Sequence, residues 1–220
     1  MTRNPFIIAN MNNCGLADFL KNGVENYFKE LEKYINDNED EDILAYANEA
    51  TMASLFMCGN LRVNPQMTGV QEYGTICTKY GKEVRGRPDI FIKDQKRAIW
   101  IECKYQKSTH HLGDEHWDIP AWLAWDKVNV FNQVETYYNS ESEKLNSSYE
   151  ERFIVTLCFK RIHVNAEKHN KEVKQKLERH QSSTYDRTWY YQVGFLPGKE
   201  SMSYGLEVYG TCSGDLTRKK

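Results

Sequence analysis

Leu16, Leu20, Val24, Phe28, Leu31 and Ile35 recur every three to four residues, so the spacing predicts an amphipathic helix over residues 15–36, with Gly23 tolerated inside it. A second helical pattern runs from about Glu41 to Met57 and is apolar on two sides: Ile43, Ala47 and Ala50 on one face, Met52 and Phe56 on another. Such a helix is largely buried. Glu49 shares the face of Met52 and Phe56 at i+3 and i+7, so a carboxylate is carried toward apolar surroundings and needs a partner; a lysine or arginine would serve. The period then changes to two. Val70 to Tyr80, with Tyr73, Ile76 and Tyr80 punctuated by Gly74 and Gly81, predicts a strand. Ile90 to Ile92 and Ala98 to Ile101 predict two more, joined by a polar turn at Lys93 to Lys96.

Ile119 to Tyr138 reads as a helix with Pro120 in its first turn and Trp122, Trp125, Val128, Phe131 and Val134 available for burial. Phe153 to Phe159 fits a buried strand, and the polar, lysine-rich Asn165 to His180 fits a surface helix. Trp189 to Phe195 and Ser203 to Tyr209, separated by Pro197-Gly198, predict a terminal hairpin outside the minimal core. No repeat or linker divides the chain. The pattern therefore predicts one α/β domain over 1–220.

The hairpin around Asp94 and Gln95 carries the candidate chemistry. Alternation puts Glu102 and Lys104 on one face and Cys103 on the other. With a loop of two or four residues, odd positions before the turn face even positions after it, so Asp89 joins Glu102 and Lys104. Carboxylates held that close repel unless a cation sits between them. Mg²⁺ suits hard oxygen ligands and is held by one or two carboxylates together with waters and phosphate oxygens. A lysine beside it can orient or help deprotonate an attacking water. Lys82, Arg85 and Arg87, just upstream, could neutralise phosphates near the same end, although a solvated loop would read the same way.

Pro88-Asp89, followed one hairpin later by Glu102-Cys103-Lys104, resembles the signature of the PD-(D/E)xK nuclease superfamily, the restriction-endonuclease-like fold, with Cys103 at its variable position. The resemblance covers roughly residues 41–160. It implies an αβββαβ core at about 41–160, a mixed sheet flanked by helices, here with an N-terminal helix and a C-terminal helix-plus-hairpin extension at about 161–220, and Mg²⁺-dependent hydrolysis of DNA, with Mn²⁺ as a substitute. Asp89 and Glu102 would hold the metal together with the Cys103 carbonyl, Lys104 would handle the water, and Glu49 would be an accessory ligand. Gln133-x-x-x-Tyr137 resembles the RecB-like exonuclease branch, and implies that Gln133 orients water or phosphate. Lys82, Arg85, Arg87, Tyr105, Lys107 and Tyr137 are the expected DNA contacts. The rival from another class is a catalytically inactive nucleic-acid-binding or assembly module on the same fold. The intact Asp89, Glu102 and Lys104 argue against that rival.

Composition changes this picture little. A net charge of −2 excludes a uniformly basic nucleic-acid binder, so DNA affinity must come from a local patch. Six cysteines without a C-x-x-C pair, several in apolar runs, suit free thiols and a reducing cytoplasm. The N-terminus lacks the apolar core of a signal peptide, and no run approaches membrane-spanning length, so neither secretion nor a membrane partner is expected. A homodimer stays open. His110, His111, Asp114 and His116 form a polar stretch that matches no helical zinc motif, and a zinc hydrolase centred there is the third reading. The acidic run Asp37 to Asp42 lacks the glycine and distal glutamate of a calcium loop, and reads as acids capping the next helix.

Overall fold

A computed structural model of the chain describes residues 2–3, 7–9, 16–38, 48–72, 75–79, 82–86, 88–106, 149–164, 167, 171, 175, 188–195 and 203–212. In chain order these form β1 (Thr2–Arg3), β2 (Ile7–Ala9), α1 (Ala17–Asn38), α2 (Glu49–Val63), β3 (Thr68–Gln71), β4 (Thr75–Lys79) and β5 (Lys82–Gly86). Then follow β6 (Ile90–Lys93), β7 (Arg97–Gln106), β8 (Glu151–Val164), β9 (Thr188–Phe195) and β10 (Ser203–Cys212). Among the described residues the class is α/β, with the helices α1 and α2, helical positions at Glu167, Lys171 and Gln175, and a mixed eight-stranded sheet in which β3, β6, β7, β8, β10 and β9 are successive neighbours. β1 and β2 both pair with β9, so they share one edge position. β7 and β8 are parallel and the remaining pairs are antiparallel.

The parallel pair explains why both strands read as unbroken apolar runs rather than clean alternations: a strand covered on both faces needs apolar side chains on both. Ile99, Ile101 and Cys103 on β7 stand beside Phe153, Val155 and Leu157 on β8 and join one core with Leu20, Val24, Phe28, Leu31, Met52 and Phe56 of the helices. Trp100, Ile154 and Cys158, on the opposite face, are buried as well.

The two helices cross through their glycines. A Cβ on Gly23 would stand 2.4 Å from Asn60 Nδ2, and one on Gly59 would stand 3.0 Å from the Asn26 and Tyr27 backbone. Gly23 is thus the site of a close approach, which the helical pattern alone did not explain. Gly59→Ala should cost about 1–3 kcal/mol, because backbone rather than a flexible side chain must yield. Urea denaturation measures the loss, and an unchanged midpoint would mean the helices slide apart freely.

Four expectations need adjustment. Of the helix expected over Glu41 to Met57, residues 41–47 lie outside the described residues, and the part described starts at Glu49: Asn48 is its N-cap in extended conformation, accepting a hydrogen bond from Thr51 N at 2.9 Å, and the helix continues to Val63. The strand expected over Val70 to Tyr80 is two strands, since β3 ends at Gln71 in the main sheet whereas β4 pairs with β5 in a separate two-stranded sheet. The terminal hairpin, expected outside the minimal core, is built into the main sheet as its extension, β10 pairing with β8 along most of its length. Cys103 and Cys158 are buried free thiols, yet Cys212 is disulfide-bonded. The helix expected at Ile119 to Tyr138 lies outside the described residues. No helix among the described residues is long and apolar enough to cross a membrane.

Candidate active site

The register of the β6–β7 hairpin is set by a tight turn. Asp94 N donates to Arg97 O at 3.0 Å, and Asp94 Oδ1 accepts from Lys96 N and Arg97 N at 2.8 and 2.6 Å, a side-chain-supported turn around Gln95 and Lys96. Ile90 therefore faces Ile101, and the next pair outward is Asp89 with Glu102.

β6 starts at Ile90, preceded by Pro88-Asp89, but β7 runs on to Gln106. Past Ile101, the β6-side edge of β7 has no strand to pair with among the described residues. Two carboxylates satisfy its amides instead: Cys103 N donates to Asp89 Oδ2 at 2.7 Å, and Tyr105 N donates to Glu49 Oε2 at 3.2 Å. Glu49 comes from the first turn of α2, which packs on one face of the sheet, while Glu102 and Lys104 come from the other face. They meet in the plane of the sheet at this open edge.

Lys104 sits among them. Its Nζ donates to Cys103 O at 2.7 Å and Glu102 Oε1 at 2.9 Å, and lies 3.5 Å from Glu49 Oε1 and 3.8 Å from Asp89 Oδ2. Glu102 is only 1% exposed, and its Oε2 has no hydrogen-bond partner among the described residues. Burial, with the nearby Asp89 charge adding to it, pushes the Glu102 carboxyl up to about 8 despite Lys104. Burial also raises Asp89, against the Cys103 amide and Lys104. Burial alone would lower Lys104, but the pull of Glu102, Asp89 and Glu49 outweighs it and holds the ammonium above its ordinary range.

No family model, curated protein or solved structure matches the chain. Its chemistry must therefore be read from this edge. The donor set is all hard oxygen: two carboxylates and one main-chain carbonyl around a single ammonium, with one buried carboxylate oxygen left over. That set fits Mg²⁺ in the position the ammonium holds, with water or phosphate oxygens completing the shell. Among the described residues no three His, Cys, Asp or Glu side chains form a ready-made metal cluster. Glu49 is engaged with Tyr105 N and Lys104, and its side chain is 37% exposed, less deeply buried than its helical face suggests.

A cavity of about 440 Å³ opens beside the carboxylates, lined by Asn48, Glu49, Ala53, Gln71, Glu72 and Asp89. Two residues here, Gln71 and Glu72, were not singled out by the sequence. The Gln71 side chain donates to Ser54 Oγ at 2.9 Å and ties the end of β3 to α2 across the cavity wall. Glu72 has a φ of 48°, unusual for a residue with a Cβ, and its N donates to Asp89 O at 3.0 Å. Only their position, just before the hairpin, could have flagged them. Of the remaining expected site residues, Lys82 and Arg85 lie on β5, and Tyr105 is half-buried in the strand beside the site. Arg87, Lys107, Gln133, Tyr137 and the stretch His110 to His116 lie outside the described residues.

Proposed function

We propose that this protein is a Mg²⁺-dependent nuclease that hydrolyses DNA phosphodiester bonds, on a restriction-endonuclease-like core of the PD-(D/E)xK type. The observation that carries the reading is the meeting of Asp89, Glu102, Lys104 and the Cys103 carbonyl at the open edge of β7. The strand order supports it: a helix, the antiparallel run β3, β6, β7, and then β8 parallel to β7 is the order that the resemblance implies.

Asp89, Glu102 and the Cys103 carbonyl are the groups that would hold the metal, and Glu49 borders them. Bound there, Mg²⁺ supplies charge stabilisation for the phosphoryl oxygens and acidifies a water. Asp89 is oriented by the Cys103 amide, so it is aimed before substrate arrives. Lys104, which lies among the carboxylates, would be the group to orient the attacking water or meet charge building on the phosphate. A module that only bound nucleic acid would have no use for a fully buried glutamate with an unpartnered oxygen, which costs stability.

The test is a cleavage assay on linear duplex, closed circular and single-stranded DNA with Mg²⁺, Mn²⁺ or Ca²⁺. Wild type should cut with Mg²⁺ or Mn²⁺, while Asp89→Ala and Lys104→Ala should each lose about 10²-fold or more in rate and still unfold cooperatively. Cleavage by both variants at the wild-type rate would sink the mechanism.

A further inference from the structure

The described site leaves one structural element unused, the two-stranded sheet of β4 and β5. It leaves the main sheet at the candidate site itself. The β3–β6 ladder pairs Gln71 with Ile90 and is extended by Glu72 N to Asp89 O. At Glu72 the backbone enters the left-handed region, β4 begins at Thr75, and β5 ends at Gly86, three residues before Asp89. The hairpin is thus rooted on the pair Glu72 and Asp89. Five residues per strand, at about 3.4 Å each, give it a reach of about 17 Å.

Its charge runs against that of the chain. Residues 73–87 carry Lys79, Lys82, Arg85 and Arg87 against the single acid Glu83, in a protein whose net charge is −2. The register also places Lys79 directly opposite Lys82, at the end of the ladder farthest from the root. Like charges at one cross-strand position destabilise a hairpin. A polyanion bound at such a position would remove that repulsion.

We propose that the β4–β5 hairpin is a duplex-DNA grip, in which Lys79 and Lys82 at its far end neutralise backbone phosphates while its root holds Asp89 at the cut. This rests on the nuclease reading and adds its substrate class. Duplex is favoured over single strand because it presents a phosphate charge per roughly 1.7 Å of axis, against about 3.4 Å for one strand, and its major groove admits a two-stranded ribbon.

The experiment is fluorescence anisotropy of a short blunt duplex, and of one of its strands, with the full chain in EDTA over a salt series. The double variant Lys79→Thr/Lys82→Thr should bind duplex more weakly and lower the slope of log K against log salt by about 2, about one for each lysine. Its thermal midpoint should match or exceed that of wild type, since the repulsion is gone. A merely structural role for the lysines predicts the opposite shift. If the double variant does not fold, Lys79→Thr and Lys82→Thr alone must each lower the slope by about one. An unchanged slope overturns the proposal, as does wild-type binding of the single strand equal to that of duplex. Because metal is absent, the two readings separate: cleavage by wild type with an unchanged slope removes the grip alone, and hairpin-dependent duplex binding without any cleavage removes the nuclease.

Discussion

Glu102→Gln should, on the proposed nuclease reading, slow Mg²⁺-dependent cleavage by about 10²- to 10³-fold and, in the metal-free protein, become progressively more stable than wild type as pH rises from about 5 to about 8. The two effects have one origin. Glu102 is buried, with one oxygen unpartnered among the described residues, and its carboxyl is raised from 4.5 in the unfolded chain to about 8 in the folded one. A folded-state pKa above the unfolded value means that the native state binds the extra proton between these pH values, so wild-type stability falls as pH climbs through that window. Glutamine has no such proton. The variants should be nearly equal at pH 5 and differ by on the order of a few kcal/mol at pH 8, since wild type loses about 1.4 kcal/mol for each pH step of one across the window. Asp89, also raised, contributes the same sign in both proteins. Lys104 is raised too, but the stability it adds is present throughout this window and is lost only as pH rises above its ordinary range. Loss of a metal-holding carboxylate removes several kcal/mol of transition-state stabilisation, a rate loss of about 10²- to 10³-fold. Urea titrations in EDTA at several pH values, beside cleavage rates, check both halves. Parallel pH profiles for the two proteins would show that Glu102 is not the group carrying the burial cost.

Gly210→Ala should destabilise the fold by about 3 kcal/mol or more. Tyr190 of β9 faces Gly210 of β10, and its hydroxyl donates to Thr156 O on β8. A Cβ at position 210 would stand 2.0 Å from Thr156 O and 2.7 Å from Tyr190 Oη, and the first of these is backbone. Thr156 is itself pinned, its Oγ1 accepting from Thr211 N at 2.7 Å, so it has little room to give. It is also the β8 neighbour of Glu102, which carries the displacement to the candidate site. Gly69→Ala is the control: there the nearest atoms lie at 3.3 to 3.4 Å and the first is the flexible Met57 Sδ. Denaturation midpoints should fall sharply for Gly210→Ala and little for Gly69→Ala. Equal shifts would mean that β10 can move away from β8 without cost.

Much of the site was legible because its geometry is local. Asp89, Glu102 and Lys104 come together through a hairpin whose turn is two residues long, and period-two alternation carries that register outward without reference to the rest of the chain. Glu49 was legible through its helical spacing to Met52 and Phe56, both fully buried. Its depth was not, because the helix is capped one residue earlier at Asn48 and a first-turn side chain stays partly exposed. The parting of Val70 to Tyr80 into two strands was equally hidden. A left-handed residue at Glu72 sends the chain out of the main sheet, and glutamate gives no compositional sign of that conformation.

The sequence by itself determined the periods, and with them the helices, the hairpin register and the face shared by two carboxylates and a lysine, because each depends on residues a few positions apart. Tertiary structure decided that this face ends at an open strand edge. That edge exists because β6 starts at Ile90 while β7, held by β8 along its whole length, runs on to Gln106. On that edge the Cys103 and Tyr105 amides bond to Asp89 and Glu49, and a residue of α2 joins the site of a hairpin about fifty positions away. Which hydrogen-bonding groups a strand leaves unsatisfied is settled by where its neighbours stop, and no window along β7 alone contains that information.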